Sequence, residues 1–399
     1  MSTTVETAPR VRAATRAVYV AFILSGFAMA TWATRIPHVR DQLGLTPSRL
    51  GLVLLAIAAG SIVSLLLAGQ MVAHFGSRRT VIAMAALLGV ALSGVGVGYL
   101  LGVVPVVVGL LCLGFANGAW DVAMNVQGAM VERKLGRAIM PRFHAGFSVG
   151  TVAGALAGAG AVALHLPVTW HLVACAVLAA VVVIWSVRAF LPDEGEAPAA
   201  DLPDGGGLAR ALATWREPRT LLVGVFVLAF AFTEGAGIDW ISVAMIDGYG
   251  SAATVGTLAF AVFLAAMTTG RWFGPALLDR YGRVPVVRAL AGISLAGLAL
   301  FILGPSVPVA FAGALLWGLG ASLGFPVGMS AASDDPARAA PRVSVVAAIG
   351  YCAFLGGPPL IGFLGDHITV LKGLVAVAVL LGVAIALAGA VKPLPDATS

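Results

Sequence analysis

Charged residues are scarce in this sequence of 399 residues, and that scarcity decides its class. Asp, Glu, Lys and Arg together supply 11% of the chain, whereas soluble domains carry about 25%. Apolar residues supply 60% of the chain, and the mean hydropathy is +0.99. No soluble core could bury so much apolar surface. The composition therefore excludes a soluble protein and predicts an integral membrane protein, with the lipid bilayer as its surroundings.

The sequence also lacks the signatures of catalysis and metal binding. It contains no Walker loop, no HExxH and no GxSxG with triad partners, so we expect neither an enzyme nor ATP-driven work. Its three cysteines, Cys112, Cys175 and Cys352, fall inside apolar segments without zinc spacing. Its basic residues form no patch, so no nucleic-acid partner is expected despite a pI of about 9.6. We predict no metal and no cofactor.

Twelve apolar runs of about twenty residues are long enough to cross a bilayer, and we number them spans 1 to 12. They are predicted at approximately 17–36, 50–73, 80–101, 105–131, 143–164, 170–190, 219–245, 253–275, 285–304, 308–331, 343–365 and 370–391. The interval 191–218 is acidic and rich in Pro and Gly, which is typical of a flexible linker. The sequence thus predicts an all-α membrane protein with two six-helix halves, 1–190 and 219–399.

Basic residues are distributed unevenly between the two sides of the predicted membrane. Nineteen Lys and Arg residues fall in the termini and in alternate intervals on one side, and four fall on the other. The positive-inside rule makes the richer side cytoplasmic. We therefore predict a cytoplasmic (inner) membrane protein with both termini and the linker in the cytoplasm. The polar N-terminus precedes a full-length span without a small-residue cleavage site, so no removable signal peptide is expected.

The two halves repeat each other at an offset of 204 residues. At that offset Gly114 corresponds to Gly318, and Gly146 corresponds to Gly350. The interval after span 2, GQMVAHFGSRR, also corresponds to GPALLDRYGR after span 8. Both halves start on the same side of the membrane. The pattern predicts parallel repeats of six helices rather than inverted ones.

Span 4 carries a polar ridge inside an apolar helix. Asn117, Asp121 and Asn125 lie four residues apart, so they share one face of the helix. An ionised Asp at mid-bilayer costs roughly 2.5–3.5 kcal/mol on insertion scales. Such a residue faces protein or water, and inside a membrane it is by default a candidate for function. At the offset of 204 residues, the position that corresponds to Asp121 is occupied by Phe325. The polar ridge therefore occurs in one half only.

The sequence resembles the major facilitator superfamily in four features. These are the twelve spans, the two parallel halves, the central linker and the loop motif after spans 2 and 8. The second loop matches the family motif well, whereas in the first loop Ala73 and Ser77 replace the usual Asp and Arg. Because that Asp helps to latch the cytoplasmic face in the family, the latch of the first half is in doubt. The resemblance implies that the cytoplasmic face is gated by the loop residues Asp279, Arg280, Gly282 and Arg283.

Finer motifs resemble the sugar-permease-like branch that includes fucose permease. They are the sequence WATRIP ending span 1, the ridge of span 4, Glu132 after it, and Arg142-Phe-His144 opening span 5. Fucose permease uses an acid in its first helix, and this chain has none there. The resemblance therefore implies a substrate-translocating membrane protein and does not carry over the substrate.

Two carboxylates fall near mid-depth, Asp121 in span 4 and Glu234 in span 7. The functional interpretation is that one or both bind a proton, because low-dielectric surroundings favour the neutral acid. The alternative is a structural hydrogen bond or ion pair between helices. Asn117 and Asn125 suit the recognition of hydroxyl or amide groups, but they also suit bonds between helices.

Aromatic and basic side chains complete the candidate site. Trp32, Trp120 and Trp240 lie in spans that line the cavity in the resembling family, where indoles stack on flat ligands. For Trp32 and Trp240 the alternative is the interfacial aromatic belt. Arg35 ends span 1, where it attracts an anionic group, pairs with Asp239 or extends to lipid headgroups.

Further residues are candidates for gating. Glu132, Arg133 and Arg142 suggest a cytoplasmic charge relay between spans 4 and 5. His144 is either a proton carrier or a capped interfacial histidine. Arg271 is expected to reach the cytoplasmic loop of Asp279. The segments 324–326 and 356–359, which contain Gly and Pro, predict breaks or kinks in spans 10 and 11.

Three hypotheses follow for the function. The first is a proton-coupled transporter of a small polar solute, such as a sugar, that works by alternating access. The second is proton-driven efflux of drug-like or amphipathic compounds. The third is a membrane sensor on a transporter scaffold, which the short tails disfavour. Nothing in the sequence demands more than a monomer, and the expected partners are the solute and protons.

Overall fold

The computed structural model describes residues 3–136, 139–193, 213–335 and 338–394, with side chains from residue 9 onward and without that of Ala340. Most of the predicted linker, residues 194–212, lies outside the described residues. So do Arg137 and Arg210, two of the basic residues that predicted the orientation.

Twelve helical segments of the described chain are long and apolar enough to cross a membrane, which confirms the predicted number. They contain no strand, so the protein is an all-α, multi-pass membrane protein. In chain order spans 1 to 12 are Pro9–Gln42, Pro47–Phe75, Ser77–Gly98, Val103–Leu135, Met140–Ala163, Val168–Ala189, Pro218–Tyr249, Ala253–Tyr281, Arg283–Leu303, Val307–Ala332, Pro341–Ile368 and Val370–Val391.

Several spans consist of more than one helix. Span 1 contains the helices Thr3–Ala33 and Ile36–Gln42, and span 6 ends in a 3-10 turn after Ser186. Span 12 contains a four-residue helix, Val370–Gly373, followed by Val375–Leu387. The helix of span 11 begins two residues before the span, at Ala339.

One of the two predicted breaks is present. Span 10 is divided into the helices Val307–Ala321 and Gly324–Ala332, which confirms the break before Pro326. Of the two alternatives predicted for span 11, a break or a kink, the break is not present, because its helix continues through Pro358 and Pro359. A proline removes one N–H and does not by itself end a membrane helix that neighbouring helices hold in place.

Backbone packing divides the chain into two units. The N-terminal unit comprises Met1–Leu45 and Val53–Ala200, and the C-terminal unit comprises Thr46–Leu52 and Asp201–Ser399. In the N-terminal unit span 1 packs on spans 4, 5 and 6, and span 3 packs on spans 4 and 6. In the C-terminal unit span 7 packs on spans 8, 10, 11 and 12, and span 9 packs on spans 8, 10 and 12. The contacts of span 1 with spans 4, 5 and 6 thus recur between span 7 and spans 10, 11 and 12.

Matching glycines produce the same close approach in both units. A methyl group on Gly114 of span 4 would lie 2.0 Å from the carbonyl oxygen of Ile57 in span 2. A methyl group on Gly318 of span 10 would lie 2.2 Å from that of Phe263 in span 8. Small residues let membrane helices approach closely. The glycine pair matched in sequence is therefore also matched in packing.

The outward faces of the spans remain apolar. Leu66, Trp170 and Leu303 each expose more than two thirds of their side chains. Large exposed apolar surface marks contact with lipid or with another protein. In a chain with twelve membrane-length helices this surface faces the bilayer.

Candidate functional site

The polar ridge of span 4 makes one contact with a neighbouring span. The Oδ1 atom of Asn117 accepts a hydrogen bond of 2.9 Å from the hydroxyl of Ser25 in span 1. Both residues lie in the N-terminal unit, and the Asn117 side chain is half-buried. Ser25 was missed in the sequence, because a serine in an apolar helix carries no signal of its own. Its partner is known only once spans 1 and 4 are packed.

Asp121 and Asn125 interact along the same helix. The Asn125 amide donates to the Asp121 backbone carbonyl at 2.8 Å and to the Oδ1 atom of Asp121 at 3.2 Å. The other carboxylate oxygen of Asp121 has no hydrogen bond to the residues that the structure describes. Asn125 thus orients the carboxylate and leaves one acceptor atom open.

Arg35 is buried and hydrogen-bonded within the N-terminal unit. It is 1% exposed, which contradicts the expectation that it extends to the headgroups. Its Nε donates to Nδ1 of His171 at 2.9 Å, and its Nη2 donates to the carbonyl of Leu166 at 3.2 Å. Both partners belong to the N-terminal unit. Arg35 ties the end of span 1 to the start of span 6.

The predicted tryptophans are all buried. Trp120 and Trp240 have no exposed surface and Trp32 is 3% exposed, so none belongs to an interfacial belt. Their indole N–H groups have no hydrogen-bond partner within the described chain. No open ring face is presented to a ligand. The stacking role predicted for these rings therefore requires a rearrangement that exposes them.

Glu132 caps a helix and is not part of a charge relay. Its carboxylate accepts hydrogen bonds of 2.7 Å from the backbone N–H groups of Ile139 and Met140, at the start of span 5. Carboxylates satisfy the free N–H groups of a helix N-terminus well. Arg142 is exposed and forms no ion pair with the described residues. The predicted relay to Arg142 was therefore wrong.

His144, which opens span 5, is exposed on the same end of the N-terminal unit. Its ring meets the edge of Phe22 of span 1, with a centroid distance of 5.0 Å. This contact joins spans 1 and 5. It fits the interfacial interpretation of His144 better than a proton pathway through the helices.

Glu234 forms an ion pair with Arg271, a residue that was predicted to contact the Asp279 loop instead. Nη2 of Arg271 in span 8 lies 2.7 Å from Oε2 of Glu234. The Nε of Arg271 also donates to the backbone carbonyl of Ser322 at 3.3 Å. Arg271 therefore points to span 7 and to the break in span 10. The expected contact with the Asp279 loop is not formed.

The second loop motif is held to the end of span 10 through its last arginine. Arg283 donates to Asp334 at 2.7 Å and to Ser330 at 2.9 Å. The Arg280 guanidinium lies 5.1 Å from the centroid of the Tyr281 ring. Asp279 is exposed and forms no hydrogen bond or ion pair with the described residues. Asp334 was missed, because it belongs to no motif and gains its role from a distant partner.

The first loop obtains an acid from an unexpected position. Asp193, at the start of the predicted linker, accepts from the backbone N–H of Ser77 at 2.9 Å and from its hydroxyl. Gln127 of span 4 donates to the Ser77 hydroxyl and to the carbonyl of Leu191. The absence of an acid at Ala73 is thus offset by Asp193, which caps span 3.

A second ion network joins the start of span 7 to span 11. Nε of Arg342 donates to Oε2 of Glu217 at 2.7 Å. This bond holds the pKa of the Glu217 carboxyl below its ordinary value. The interaction stabilises the fold above that ordinary pKa, and the stabilisation is lost as the pH falls through the lowered one.

The described residues contain no group of three or more His, Cys, Asp or Glu side chains that could hold a metal ion. The polar groups of the spans instead form small sets within one helix or between neighbouring helices, such as Asp121 with Asn125, Ser25 with Asn117, and Glu234 with Arg271. Polar groups of this kind inside membrane helices are candidates for binding a solute or a proton. The fold, with twelve membrane-length helices, is that of a membrane transport protein.

The chain belongs to the Major Facilitator Superfamily, whose model matches residues 18–357. An uncharacterized MFS-type transporter of Yersinia pestis is 32% identical over 368 residues, covering 90% of this chain and 92% of that protein. The uncharacterized transporter y4wD of Sinorhizobium fredii is 30% identical over 363 residues, with coverage of 89% and 92%.

Solved structures of sugar and nucleoside transporters share the fold. The nucleoside transporter NupG has a TM-score of 0.71 and covers 96% of this chain and 98% of its own. The D-xylose-proton symporter has a TM-score of 0.72, with coverage of 97% and 99%. A variant of the E. coli fucose:proton symporter has a TM-score of 0.62, with coverage of 94% and 97%. Each is 14% identical to this chain, so each shows the fold alone.

Proposed function

We propose that this protein moves a small polar solute, of the sugar or sugar-like class, across the inner membrane by alternating access, driven by protons. It acts as a monomer, with both termini in the cytoplasm. The main support is the polar ridge of span 4. Its amide and carboxylate groups keep hydrogen-bonding atoms that no described residue occupies, inside a unit where burying such groups is costly.

The free hydrogen-bonding groups of the ridge suit hydroxyl groups. With Oδ1 of Asn117 bound to Ser25, the two N–H groups of its amide remain as donors. One helical turn further, an oxygen of Asp121 remains as an acceptor. A hydroxyl group both donates and accepts, so a polyhydroxylated solute can use both positions. The printed names of the D-xylose-proton and fucose:proton symporters agree with this class by analogy of fold.

Asp121 is the better candidate for the proton. Glu234 already has a guanidinium partner, whereas among the described residues the only side chain hydrogen-bonded to Asp121 is the neutral Asn125. A carboxylate without a counter-charge inside a membrane is costly, and taking up a proton removes that cost. One proton moving down about 100 mV supplies roughly 2.3 kcal/mol, enough to concentrate a neutral solute about fiftyfold.

The test is solute uptake into proteoliposomes with an imposed pH gradient, using a library of labelled sugars, nucleosides and hydrophobic cations. Wild-type protein should accumulate a polar solute only when the gradient is present. Asp121→Asn should reduce gradient-driven accumulation at least about tenfold while leaving exchange of solute across the membrane in place. Asp247→Asn is the matched control, since it removes an exposed acid at the end of span 7.

Two outcomes would contradict the proposal in different ways. Full proton dependence in Asp121→Asn would remove the assignment of the proton to this residue. If the protein transported hydrophobic cations and no sugar or nucleoside, the proposed function would be wrong, and the alternative of proton-driven efflux would take its place.

A further inference from the structure

The break in span 10 leaves one backbone carbonyl without its helical partner. In a continuous helix the carbonyl of Ser322 would accept from the N–H of residue 326, four positions later. That residue is Pro326, which has no N–H. The first helix ends at Ala321, and the second begins at Gly324. The Ser322 carbonyl must therefore find its donor elsewhere.

The donor is Arg271 of span 8. Its Nε lies 3.3 Å from the Ser322 oxygen, while its Nη2 lies 2.7 Å from the carboxylate of Glu234 in span 7. All three residues belong to the C-terminal unit. One guanidinium thus joins an acid on span 7 to the break in span 10.

Two glycines bring span 8 close enough for this contact. A methyl group on Gly270 would lie 2.3 Å from the Ser322 hydroxyl, and one on Gly274 would lie 2.4 Å from the side chain of Leu323. Both glycines face the break, one on each side of Arg271 in the sequence. The backbone of span 8 is therefore packed directly against the break, which fixes the position of the Arg271 side chain.

We propose that Arg271 is a positioning residue that couples the protonation of Glu234 to the bending of span 10. While Glu234 is ionised, the charge of Arg271 is compensated and the guanidinium stays on the Ser322 carbonyl. A neutral Glu234 leaves a cation with only a carbonyl partner in low-dielectric surroundings, which is unfavourable. Arg271 then moves towards water, and the break loses the bond that holds it.

Among the described residues of the C-terminal unit, Arg271 is the cation paired with Glu234. Of the helices packed on span 7, those of span 10 and the helix Val375–Leu387 of span 12 contain no ionisable side chain. Span 8 carries Asp279 and Arg280 near its end, and the short helix Val370–Gly373 carries Lys372, all three exposed. The middle of span 11 contains Tyr351 and Cys352, and its charged residues lie near its ends. On span 7 itself the other acid within the helix interior is Asp239, five residues away. Arg271 is therefore the charge that responds to Glu234.

The inference deepens the proposed function, since it gives a protonation event a mechanical consequence. It rests on that proposal for the coupling to protons and makes Glu234 a protonation site in addition to Asp121, while the contact between Arg271 and the break is independent of any cargo. The experiment below uses neither a cargo nor a gradient. Its failure would leave the transport proposal standing, and failure of transport would leave the coupling measurable.

The test is hydrogen–deuterium exchange of the full-length protein in lipid nanodiscs, at one pH, followed on peptides covering residues 322–332. Glu234→Gln mimics the protonated acid and should accelerate exchange there by about tenfold, as expected for the loss of a charge-assisted hydrogen bond. Arg271→Lys keeps a cation for Glu234 but has a single nitrogen. Because one nitrogen cannot bind both Glu234 and the Ser322 carbonyl, Arg271→Lys should accelerate exchange by a similar factor even though Glu234 is still ionised.

The Pro326→Ala variant is the background in which the role of the Arg271–Ser322 bond can be tested. Alanine restores the N–H that Ser322 lacks, so the break no longer depends on Arg271. Adding Glu234→Gln to Pro326→Ala should then leave exchange unchanged. Asp239→Asn is the matched control, because it removes an acid from the same helix that makes no contact with Arg271, and its exchange should equal that of wild type.

Three results would each overturn the inference. The first is wild-type exchange in both Glu234→Gln and Arg271→Lys. The second is an equal acceleration by Glu234→Gln with and without Pro326. The third is the same acceleration in Asp239→Asn, which would show a general effect of charge on span 7.

Discussion

At the scale of single residues, the role of each arginine depends on its partner rather than on its motif. Arg35, Arg271 and Arg283 lie in three different intervals of the sequence, and each ends on a backbone or side-chain acceptor in a distant span. Arg142, predicted to act in a relay, has no such acceptor among the described residues. A guanidinium has five donors in a fixed geometry, so it can join two elements at once.

The buried pair of Arg35 and His171 leads to a prediction at this scale. His171→Leu should lower the thermal unfolding midpoint, because it leaves a buried guanidinium with one acceptor fewer. An unsatisfied buried group costs about 1–3 kcal/mol, and more when it is charged. Unfolding can be followed by intrinsic fluorescence, since the chain has eight tryptophans.

Two further variants make this prediction specific. His171→Gln keeps an acceptor for Arg35 and should recover most of the stability. His38→Leu removes an exposed histidine of span 1 and should have little effect. Equal midpoints for His171→Leu and His38→Leu would show that the Arg35 contact contributes nothing.

At the scale of elements, the two short loops after spans 2 and 8 have the same backbone and different partners. Gly76 and Gly282 adopt φ angles of 81° and 80°, which side chains rarely tolerate. A methyl group on Gly76 would lie 2.5 Å from a carboxylate oxygen of Asp193, whereas one on Gly282 would meet no atom within 4 Å. The repeat therefore conserves the turn and changes what binds to it.

This pair of glycines separates backbone strain from loss of the cap. Gly282→Ala should cost about 1–2 kcal/mol of stability through its φ angle alone. Gly76→Ala should cost measurably more, because it also displaces Asp193 from the N-terminus of span 3. Thermal unfolding midpoints of the two variants make the comparison. Equal losses would mean that the Asp193 cap is energetically unimportant.

At the scale of the whole molecule, the orientation in the membrane follows from charge. Nineteen basic residues against four predict cytoplasmic termini. A fluorescent protein fused after Ser399 should therefore fluoresce, and alkaline phosphatase at the same position should be inactive. Phosphatase inserted at Gly44, between spans 1 and 2, should be active. The reverse pattern at both positions would invert the predicted topology.

Much of the fold could be predicted from the sequence, for a physical reason. A membrane helix must satisfy its own backbone and present apolar side chains, so length and hydropathy alone reveal the twelve spans. Proline chemistry revealed the break in span 10 in the same way. At Pro358 and Pro359 the same local rule left a break or a kink open, and the helix continues there without a break.

The sequence by itself determined the class of protein, the number of spans, the repeat and the presence of costly polar residues inside apolar helices. These features depend on composition and spacing, which are local properties of the chain. Only the tertiary structure decided the partners: Ser25 for Asn117, Arg271 for Glu234, and Asp193 for the first loop. Such pairs join residues separated by tens of positions along the chain, and hydrogen bonds act over about 3 Å, so no local pattern can identify them.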